Sequence, residues 1–144
     1  MRKKLLALLL ILVMITFAVS GCKKSNTIKI GTIMSTSGPV STYGIQTRDA
    51  IKMAIEEINA QGGVLGKKVE LIVEDDEKNP EKTMNALIKL ATKDKVTAIL
   101  GGLTSDCTLA ITKEAQQRNV LLLTPTSTND LVTDAALKIL SREV

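Results

Sequence analysis

From residue 27 onward, the sequence alternates short, almost continuously apolar segments with longer segments of helical periodicity. The first apolar segment, Thr27–Met34, is rich in β-branched residues and predicts a buried strand. Three similar segments follow at residues 68–74, 96–100 and 120–123. Strands of this kind that alternate with helices form a parallel sheet with helices on both faces. The sequence therefore predicts an open α/β fold.

The helical segments between these strands have recognisable ends. An apolar repeat at i, i+3, i+4 and i+7 predicts a helix from about Gly44 that stops at Gly62. Asn79, which a proline follows, predicts the N-cap of a second helix. A third helix is predicted over residues 105–118, and a short one near Asp130.

The loops that follow the first, third and fourth predicted strands share an unusual composition. They lie at residues 35–39, 101–105 and 124–128, and they are rich in Ser and Thr and poor in charge. In a parallel sheet all three reach one side, here called the carboxyl edge, where α/β proteins bind ligands. Hydroxyl groups and helix N-termini suit a carboxylate. Because Ser and Thr also cap helices and form turns, it is the coincidence of three loops that favours a ligand site.

Most familiar catalytic chemistry is missing from the chain. It contains no histidine, so it supplies no Ser-His or Cys-His pair and no histidine metal ligand. Dinucleotide, Walker and nucleophile-elbow motifs are absent. One Phe, one Tyr and no Trp give little surface for stacking nucleic-acid bases. We therefore predict a chain that is not an enzyme and has no catalytic residue, metal, cofactor or nucleic-acid partner.

Three further features have a functional and a structural interpretation. The acidic run at residues 75–77 lacks the spacing of a calcium loop and is interpreted as an exposed strand end. Cys107 lies near a predicted helix N-terminus, which favours a thiolate, but without a histidine it is interpreted as a small residue on a helix face. Tyr43, in a Ser/Thr-rich loop, is interpreted as a residue of the carboxyl edge rather than of the core.

The N-terminus has the organisation of an export signal. Three basic residues at positions 2–4 precede an apolar run over residues 5–19, which is short for a membrane span. Without those three, 16 basic residues face 15 acidic ones, so the net charge of +4 indicates no anionic partner. The sequence predicts a signal peptide over residues 1–21.

The end of this signal, Val19-Ser20-Gly21-Cys22, resembles a bacterial lipobox. The resemblance implies cleavage before Cys22, acylation of its thiol and a short linker over residues 22–26. An uncleaved membrane anchor is the alternative. Both place the rest of the chain outside the cytoplasm and tethered to the membrane, on the periplasmic face or the cell surface.

Several short motifs occur in one order along the remaining chain. They are Ile28–Gly31 (IKIG), Ser37-Gly38-Pro39, Tyr43-Gly44, residues 57–66 (EINAQGGVLG), Asp75-Asp76, Asn79-Pro80, Gly101-Gly102 and Thr124-Pro125. Together they resemble the N-terminal lobe of a type I extracellular solute-binding protein, of the branched-chain amino-acid-binding kind that feeds an ABC importer. The resemblance implies an incomplete lobe of the periplasmic-binding-protein type I fold, over residues 27–144.

The resemblance also implies a set of ligand-binding residues. In that family the amino acid lies between two lobes, and its charged groups meet the loops after strands three and four. Here the matching positions, with an aromatic residue of the first loop, are Tyr43, Leu103, Thr104, Ser105, Thr126, Ser127 and Thr128. Asp106 departs from the family, which usually has a small hydroxyl there; the carboxylate either repels a ligand carboxylate or caps the helix.

The chain's 144 residues suffice for one ordinary domain, whereas the family has two lobes. We therefore expect a truncated protein without the second lobe, which binds its solute weakly. The predicted function is that of a substrate-binding lipoprotein for a branched-chain amino acid or an amide-like solute, working with an importer permease. A sensor ectodomain of the same fold and an exported α/β enzyme with a missing catalytic half are the alternatives.

Overall fold

A computed structural model describes residues 27–134. The predicted signal peptide, Cys22 and the linker lie outside the described residues, as do residues 135–144. In chain order the elements are β1 (Thr27–Met34), α1 (Ser41–Ala60), β2 (Lys68–Asp75), α2 (Pro80–Lys89), a π-helical turn (Leu90–Asp94), β3 (Ala98–Gly101), α3 (Ser105–Gln117), β4 (Leu121–Leu123) and α4 (described over residues 130–134).

The four strands form one parallel sheet in the order β2-β1-β3-β4, which confirms the predicted fold class. Thr27 lies opposite Lys68 and Met34 lies opposite Asp75, so β1 and β2 run together over their whole length. The chain places β2 on one side of β1, and then β3 and β4 on the other side of β1. Because parallel connections are right-handed, α1 covers one face, and α2 and α3 cover the other.

Two element boundaries differ from the prediction. Helix α1 begins at Ser41 rather than near Gly44, because polar residues that are weak helix formers are tolerated in a first turn. Strand β3 begins at Ala98 rather than at residue 96. The residue before Val96, Lys95, has a left-handed backbone (φ 55°) that ends the π-helical turn, and the Val96 N–H still donates to Leu90 O.

The main core lies between the sheet and the helices α2 and α3. Its buried members are Ile33, Ala86, Leu87, Leu90, Val96, Ile99, Ile111 and Ala115. The other face is less covered, since Gly44 is the only fully buried residue of α1. On β4, Leu121 and Leu123 are more than half exposed. Among residues 27–134, no helix has the length and apolar character needed to cross a bilayer.

Candidate ligand-binding edge

Each helix begins at the carboxyl edge, because each follows directly after a strand. The predicted cap at Asn79 is confirmed: its side-chain oxygen accepts hydrogen bonds from Glu81 N (2.8 Å) and Lys82 N (3.1 Å). The N-cap of α3, Thr104, has an extended backbone and makes no side-chain capping bond. The backbone N–H groups of the first turn of α3 therefore receive no bond from the N-cap side chain.

Three hydroxyl groups surround the backbone carbonyl of Gly102, at the end of β3. The Oγ atoms of Thr108, Thr124 and Ser127 lie 2.9, 3.0 and 3.1 Å from Gly102 O. Ser127 Oγ also lies 2.6 Å from Thr108 Oγ1 and 2.8 Å from Thr124 Oγ1. Each hydroxyl has one proton and donates only one hydrogen bond at a time. Each therefore donates either to Gly102 O or to another acceptor such as a neighbouring hydroxyl. This cluster joins the loops after β3 and β4 to α3.

A close backbone approach makes this cluster possible. Gly102 has a φ of 74°, and a Cβ atom there would lie 2.1 Å from Thr108 Oγ1. A second bond supports the same junction, since Thr126 Oγ1 donates to Leu103 O at 2.6 Å. The loops after β3 and β4 are therefore one rigid unit.

A second polar network lies behind the loop after β1. The carboxylate of Asp76, which is fully buried, accepts bonds from Ser35 Oγ (2.6 Å), Thr83 Oγ1 (3.0 Å) and Lys78 N (3.1 Å). The expectation that the acidic run is an exposed strand end is therefore wrong for Asp76. The three hydrogen bonds that it accepts compensate for the desolvation of the buried carboxylate.

The neighbouring Asp75 turns outward and organises the loop after β1. Its Oδ1 atom accepts bonds from the backbone N–H groups of Thr36 (2.9 Å), Glu77 (3.0 Å) and Ser37 (3.4 Å). Burial alone raises the pKa of Asp75. The hydrogen bonds from the Ser37 side chain, Glu77 N–H and Thr36 outweigh that effect and hold the pKa below its usual value.

The loop after β1 is also fixed by contact with α1. A Cβ atom on Gly44 would lie 1.9 Å from Ser35 O, so only glycine allows the helix to approach the strand end this closely. Ser35 itself is fully buried. The first turn of α1 is therefore positioned by the same residue that bonds Asp76.

The structure places the predicted ligand-binding residues in two groups. Tyr43, 69% exposed, lies in the first turn of α1, and Thr128 is also exposed, while Ser105 and Thr104 are half-buried at the start of α3. The other three hold the loops together. They are Leu103, whose side chain is buried, and Thr126 and Ser127, whose hydroxyl groups make the bonds described above.

Asp106 lies in the first turn of α3. Its pKa lies below the usual value because of the nearby Thr104 hydroxyl and the backbone N–H groups of Cys107 and Asp106, while burial opposes them. A negative charge at this position interacts favourably with the helix dipole. The helix-capping interpretation of Asp106 fits this arrangement.

Cys107 is fully buried behind the same helix turn. Burial raises the pKa of its thiol, and nearby Asp76 and Asp106 add to that effect, while the neighbouring Thr104 and Thr83 hydroxyl groups oppose it. The thiol therefore stays protonated near neutral pH despite its place at a helix N-terminus. This agrees with the interpretation of Cys107 as a helix-face residue.

A groove of about 380 Å³ runs between α3, β4 and α4, along the flank of the domain. It touches the hydroxyl cluster only at Thr108 and Thr124, and its other lining residues are mostly apolar. The groove therefore does not coincide with the predicted site. Within residues 27–134, no three His, Cys, Asp or Glu side chains are grouped as a metal site requires.

Sequence reasoning missed or misinterpreted several of the residues that hold this edge in shape. Among them, Asp76, Thr83 and Thr108 are buried and hydrogen-bonded. The sequence gives a weak indication that Thr83 is buried, since Thr83 lies one helical turn after the Asn79 cap on the core-facing side. No pattern in the sequence separates the buried Asp76 from its exposed neighbour Asp75.

Comparison with known proteins shows where this arrangement occurs. Residues 27–137 match the periplasmic binding protein family. A Leu/Ile/Val-binding protein of Rhizobium johnstonii is 36% identical over 101 residues, covering 70% of this chain and 27% of the relative. A Leu/Ile/Val/Thr/Ala-binding protein of Pseudomonas aeruginosa is 32% identical over 120 residues, covering 83% of this chain and 32% of the relative.

Solved structures share the fold. The branched-chain amino acid transporter substrate-binding protein LivJ of Streptococcus pneumoniae, in complex with isoleucine, superposes with a TM-score of 0.74 and 34% identity, covering 76% of this chain and 32% of that one. A solute-binding protein of a Rhodopseudomonas palustris ABC transporter, in complex with 3,4-dihydroxybenzoic acid, superposes with a TM-score of 0.70 and 30% identity. This match covers 76% of this chain and 30% of that one.

The fold and its hydroxyl-lined edge thus define an α/β lobe of the type I solute-binding class. The chain belongs to the periplasmic binding protein family. It spans about a third or less of the length of the relatives that it matches.

Proposed function

We propose that this chain is the ligand-binding lobe of an extracytoplasmic lipoprotein that delivers a small solute to an ABC importer permease. The solute is an amino acid of the branched-chain type or a related small acid or amide. The observation that carries the proposal is the carboxyl edge, where hydroxyl-rich loops meet the N-terminus of α3. The names of the relatives, which bind Leu, Ile and Val, support the solute class.

The residues of the edge have distinct roles in this proposal. Ser105, through its hydroxyl and its backbone N–H at the N-terminus of α3, binds the ligand carboxylate. Thr128 supplies a further hydroxyl, and the exposed ring of Tyr43 packs on the ligand side chain. Leu103, Thr104, Thr126 and Ser127 form and support the wall of the site. The lobe binds its solute without chemical conversion.

Asp106 distinguishes two kinds of ligand. Its carboxylate lies one residue after Ser105, so it opposes a simple carboxylate ligand and attracts the ammonium group of a zwitterion. A free amino acid carries both charges, whereas an aromatic acid carries only the negative one. This favours an amino acid over an aromatic acid.

Cys22 is the proposed membrane anchor, acylated after removal of residues 1–21. The measurement is the mass of the N-terminal peptide of the protein extracted from membranes. A diacylglyceryl adduct on Cys22 supports the anchor, whereas a retained signal peptide contradicts cleavage.

Titration calorimetry on the full chain, with isoleucine and with 3,4-dihydroxybenzoate, tests the ligand site. Ser105→Ala is expected to weaken isoleucine binding about tenfold, since a bond to a charged group contributes about 1.5 kcal/mol. Thr97→Ala, which removes an exposed hydroxyl near the start of β3, is the matched control and is expected to change nothing. Equal effects of both variants, or none from Ser105→Ala, would contradict the assignment.

A second pair of titrations tests the role of Asp106. Asp106→Asn is expected to strengthen binding of 3,4-dihydroxybenzoate and to leave isoleucine binding equal or weaker. Stronger binding of isoleucine by this variant would show that Asp106 repels the ligand and does not attract its ammonium group.

A further inference from the structure

The side of the sheet opposite the carboxyl edge, here called the amino edge, carries an exposed tight turn between α1 and β2. Leu65 lies at its tip and is 93% exposed, the highest value among the large apolar side chains of residues 27–134. Val64 beside it is 42% exposed. Two lysines, Lys67 and Lys68, complete the group. We call these four residues the amino-edge patch.

The patch is held rigidly in the fold. Val64 and Lys67 exchange backbone hydrogen bonds of 2.8 and 3.0 Å that close the turn. The side chain of Asn59, near the end of α1, bonds both Val69 N (2.7 Å) and Val69 O (2.8 Å). The turn is thus fixed to α1 and to β2.

Both the backbone conformation and the solvent exposure of Leu65 are unfavourable. Its φ of 51° lies in the left-handed region, which a leucine seldom adopts, and its side chain projects into solvent. A rigid turn that presents an apolar side chain in this way is suited to an apolar partner.

Further lysines lie near the patch. Lys93 and Lys95, at the end of the π-helical turn, are also exposed at the amino edge. The acidic residues near this edge are Asp94, which is paired with Lys89, and the exposed Glu56, Glu57 and Glu70. The lysines are the groups of this edge that an anionic surface attracts.

The start of the described chain lies at the same edge. Thr27, the first residue of β1, is paired with Lys68 of the patch. Cys22 precedes Thr27 by five residues, which span at most about 18 Å, and two of the intervening residues are Lys23 and Lys24. An N-terminal anchor therefore holds the amino edge near the bilayer. The carboxyl edge stands about 25 Å further out, since β1 has eight residues.

We propose that the amino-edge patch rests on the bilayer that holds the N-terminal anchor. Leu65 inserts at the boundary of headgroups and acyl chains, and the lysines contact anionic headgroups. The inference depends on the proposed membrane anchor, either acylated Cys22 or an uncleaved signal segment, but not on the identity of the solute.

The test uses the full chain, extracted from membranes and reconstituted in vesicles of equal amounts of phosphatidylglycerol and phosphatidylcholine that carry a doxyl-labelled lipid. A fluorophore is attached at Leu65→Cys or, as a control at the opposite edge, at Glu81→Cys. Both parent side chains are exposed. The parent chain, labelled in parallel, gives the background from Cys22 and Cys107.

Quenching at position 65 is expected to be about three times that at position 81 or more, because only the first label contacts the bilayer. In the Leu65→Cys chain, adding Lys67→Glu and Lys68→Glu is expected to reduce the quenching. Adding Lys52→Glu and Lys113→Glu, the same charge change on exposed helix positions, is expected to leave it unchanged.

Equal quenching at the two positions, or none at either, would overturn the proposal. An effect of the control lysines equal to that of the patch lysines would overturn the role of the patch. The mass of the N-terminal peptide reports the anchor and the isoleucine titration reports the ligand site. A failure of the proposed function is therefore distinguished from a failure of the patch.

Discussion

The hydroxyl of Ser35 donates a 2.6 Å hydrogen bond to the buried carboxylate of Asp76, across 41 residues of sequence. Ser35 follows β1 and Asp76 follows β2, so the bond joins the carboxyl ends of two neighbouring strands. Thr83 extends the connection to α2 through the second carboxylate oxygen. The loop that precedes Tyr43 is thereby fixed to the body of the lobe.

Removing the Asp76 carboxylate is expected to destabilise the lobe strongly. Asp76→Ala leaves the Ser35 and Thr83 hydroxyl groups and Lys78 N without their buried acceptor, at a cost of about 2–4 kcal/mol in unfolding free energy. Urea denaturation followed by circular dichroism measures the change. Asp49→Ala, at an exposed helix position paired only with Arg48, is the control and is expected to cost less than about 1 kcal/mol. Similar losses for both variants would contradict the role of Asp76.

A pair of glycine variants separates steric contact from backbone strain. Gly102 and Gly66 have almost the same φ, 74° and 73°, but a Cβ atom on Gly102 would lie 2.1 Å from Thr108 Oγ1, whereas on Gly66 it would meet open space. Gly66→Ala is expected to cost about 1 kcal/mol from strain alone. Gly102→Ala is expected to cost at least about 2 kcal/mol more, measured by thermal unfolding. Equal losses of stability for the two variants would show that the loop after β3 shifts easily to accommodate a Cβ atom at position 102.

Two buried threonines are expected to respond oppositely to the same substitution. Thr32 Oγ1 is buried without a hydrogen-bond partner, whereas Thr83 Oγ1 lies within bonding distance of both Asp76 and Asn79 O. Thr32→Val is expected to raise the unfolding free energy by about 1 kcal/mol, because the cost of the unpaired hydroxyl disappears. Thr83→Val is expected to lower it by about 1–3 kcal/mol. Chemical denaturation of both variants measures these changes. Destabilisation by Thr32→Val would contradict the assignment of an unpaired hydroxyl to Thr32.

The lowered pKa of Asp75 predicts a dependence of stability on pH. A carboxyl with a lower pKa in the folded state contributes stability above its unfolded value of 3.8, and that contribution is lost as the pH falls through the folded pKa. Asp75→Asn is therefore expected to be less stable than the parent chain at pH 7. The difference is expected to shrink as the pH falls below about 4. Unfolding curves across this pH range measure it.

Glu70→Gln, an exposed carboxylate in the same strand, is the control for the pH series. It is expected to leave the acid dependence of the parent chain unchanged. A difference between Asp75→Asn and the parent chain that stays constant down to pH 2 would contradict the role of the charged carboxylate.

Local chemistry made much of the fold predictable. The strand Thr27–Met34 and the Asn79 cap were found at their predicted places, because β-branched runs and capping side chains act over a few residues. The start of α1 was misplaced, since a first turn tolerates residues of weak helix propensity. Asp75 and Asp76 show the limit of such reasoning. Only the packing of α2 against β2, which brings Thr83 to the Asp76 carboxylate, makes one a buried acceptor and leaves the other exposed.

The sequence by itself determined the parallel α/β architecture and the hydroxyl-rich composition of the carboxyl edge, because both follow from patterns that are local along the chain. The tertiary structure decided which hydroxyl groups hold the edge together and which face solvent. Ser127 is half-buried and bonds the backbone of the loop after β3, whereas Thr128, the next residue, is exposed. Such a division depends on distances between residues more than 20 positions apart, and those distances exist only once the strands have paired.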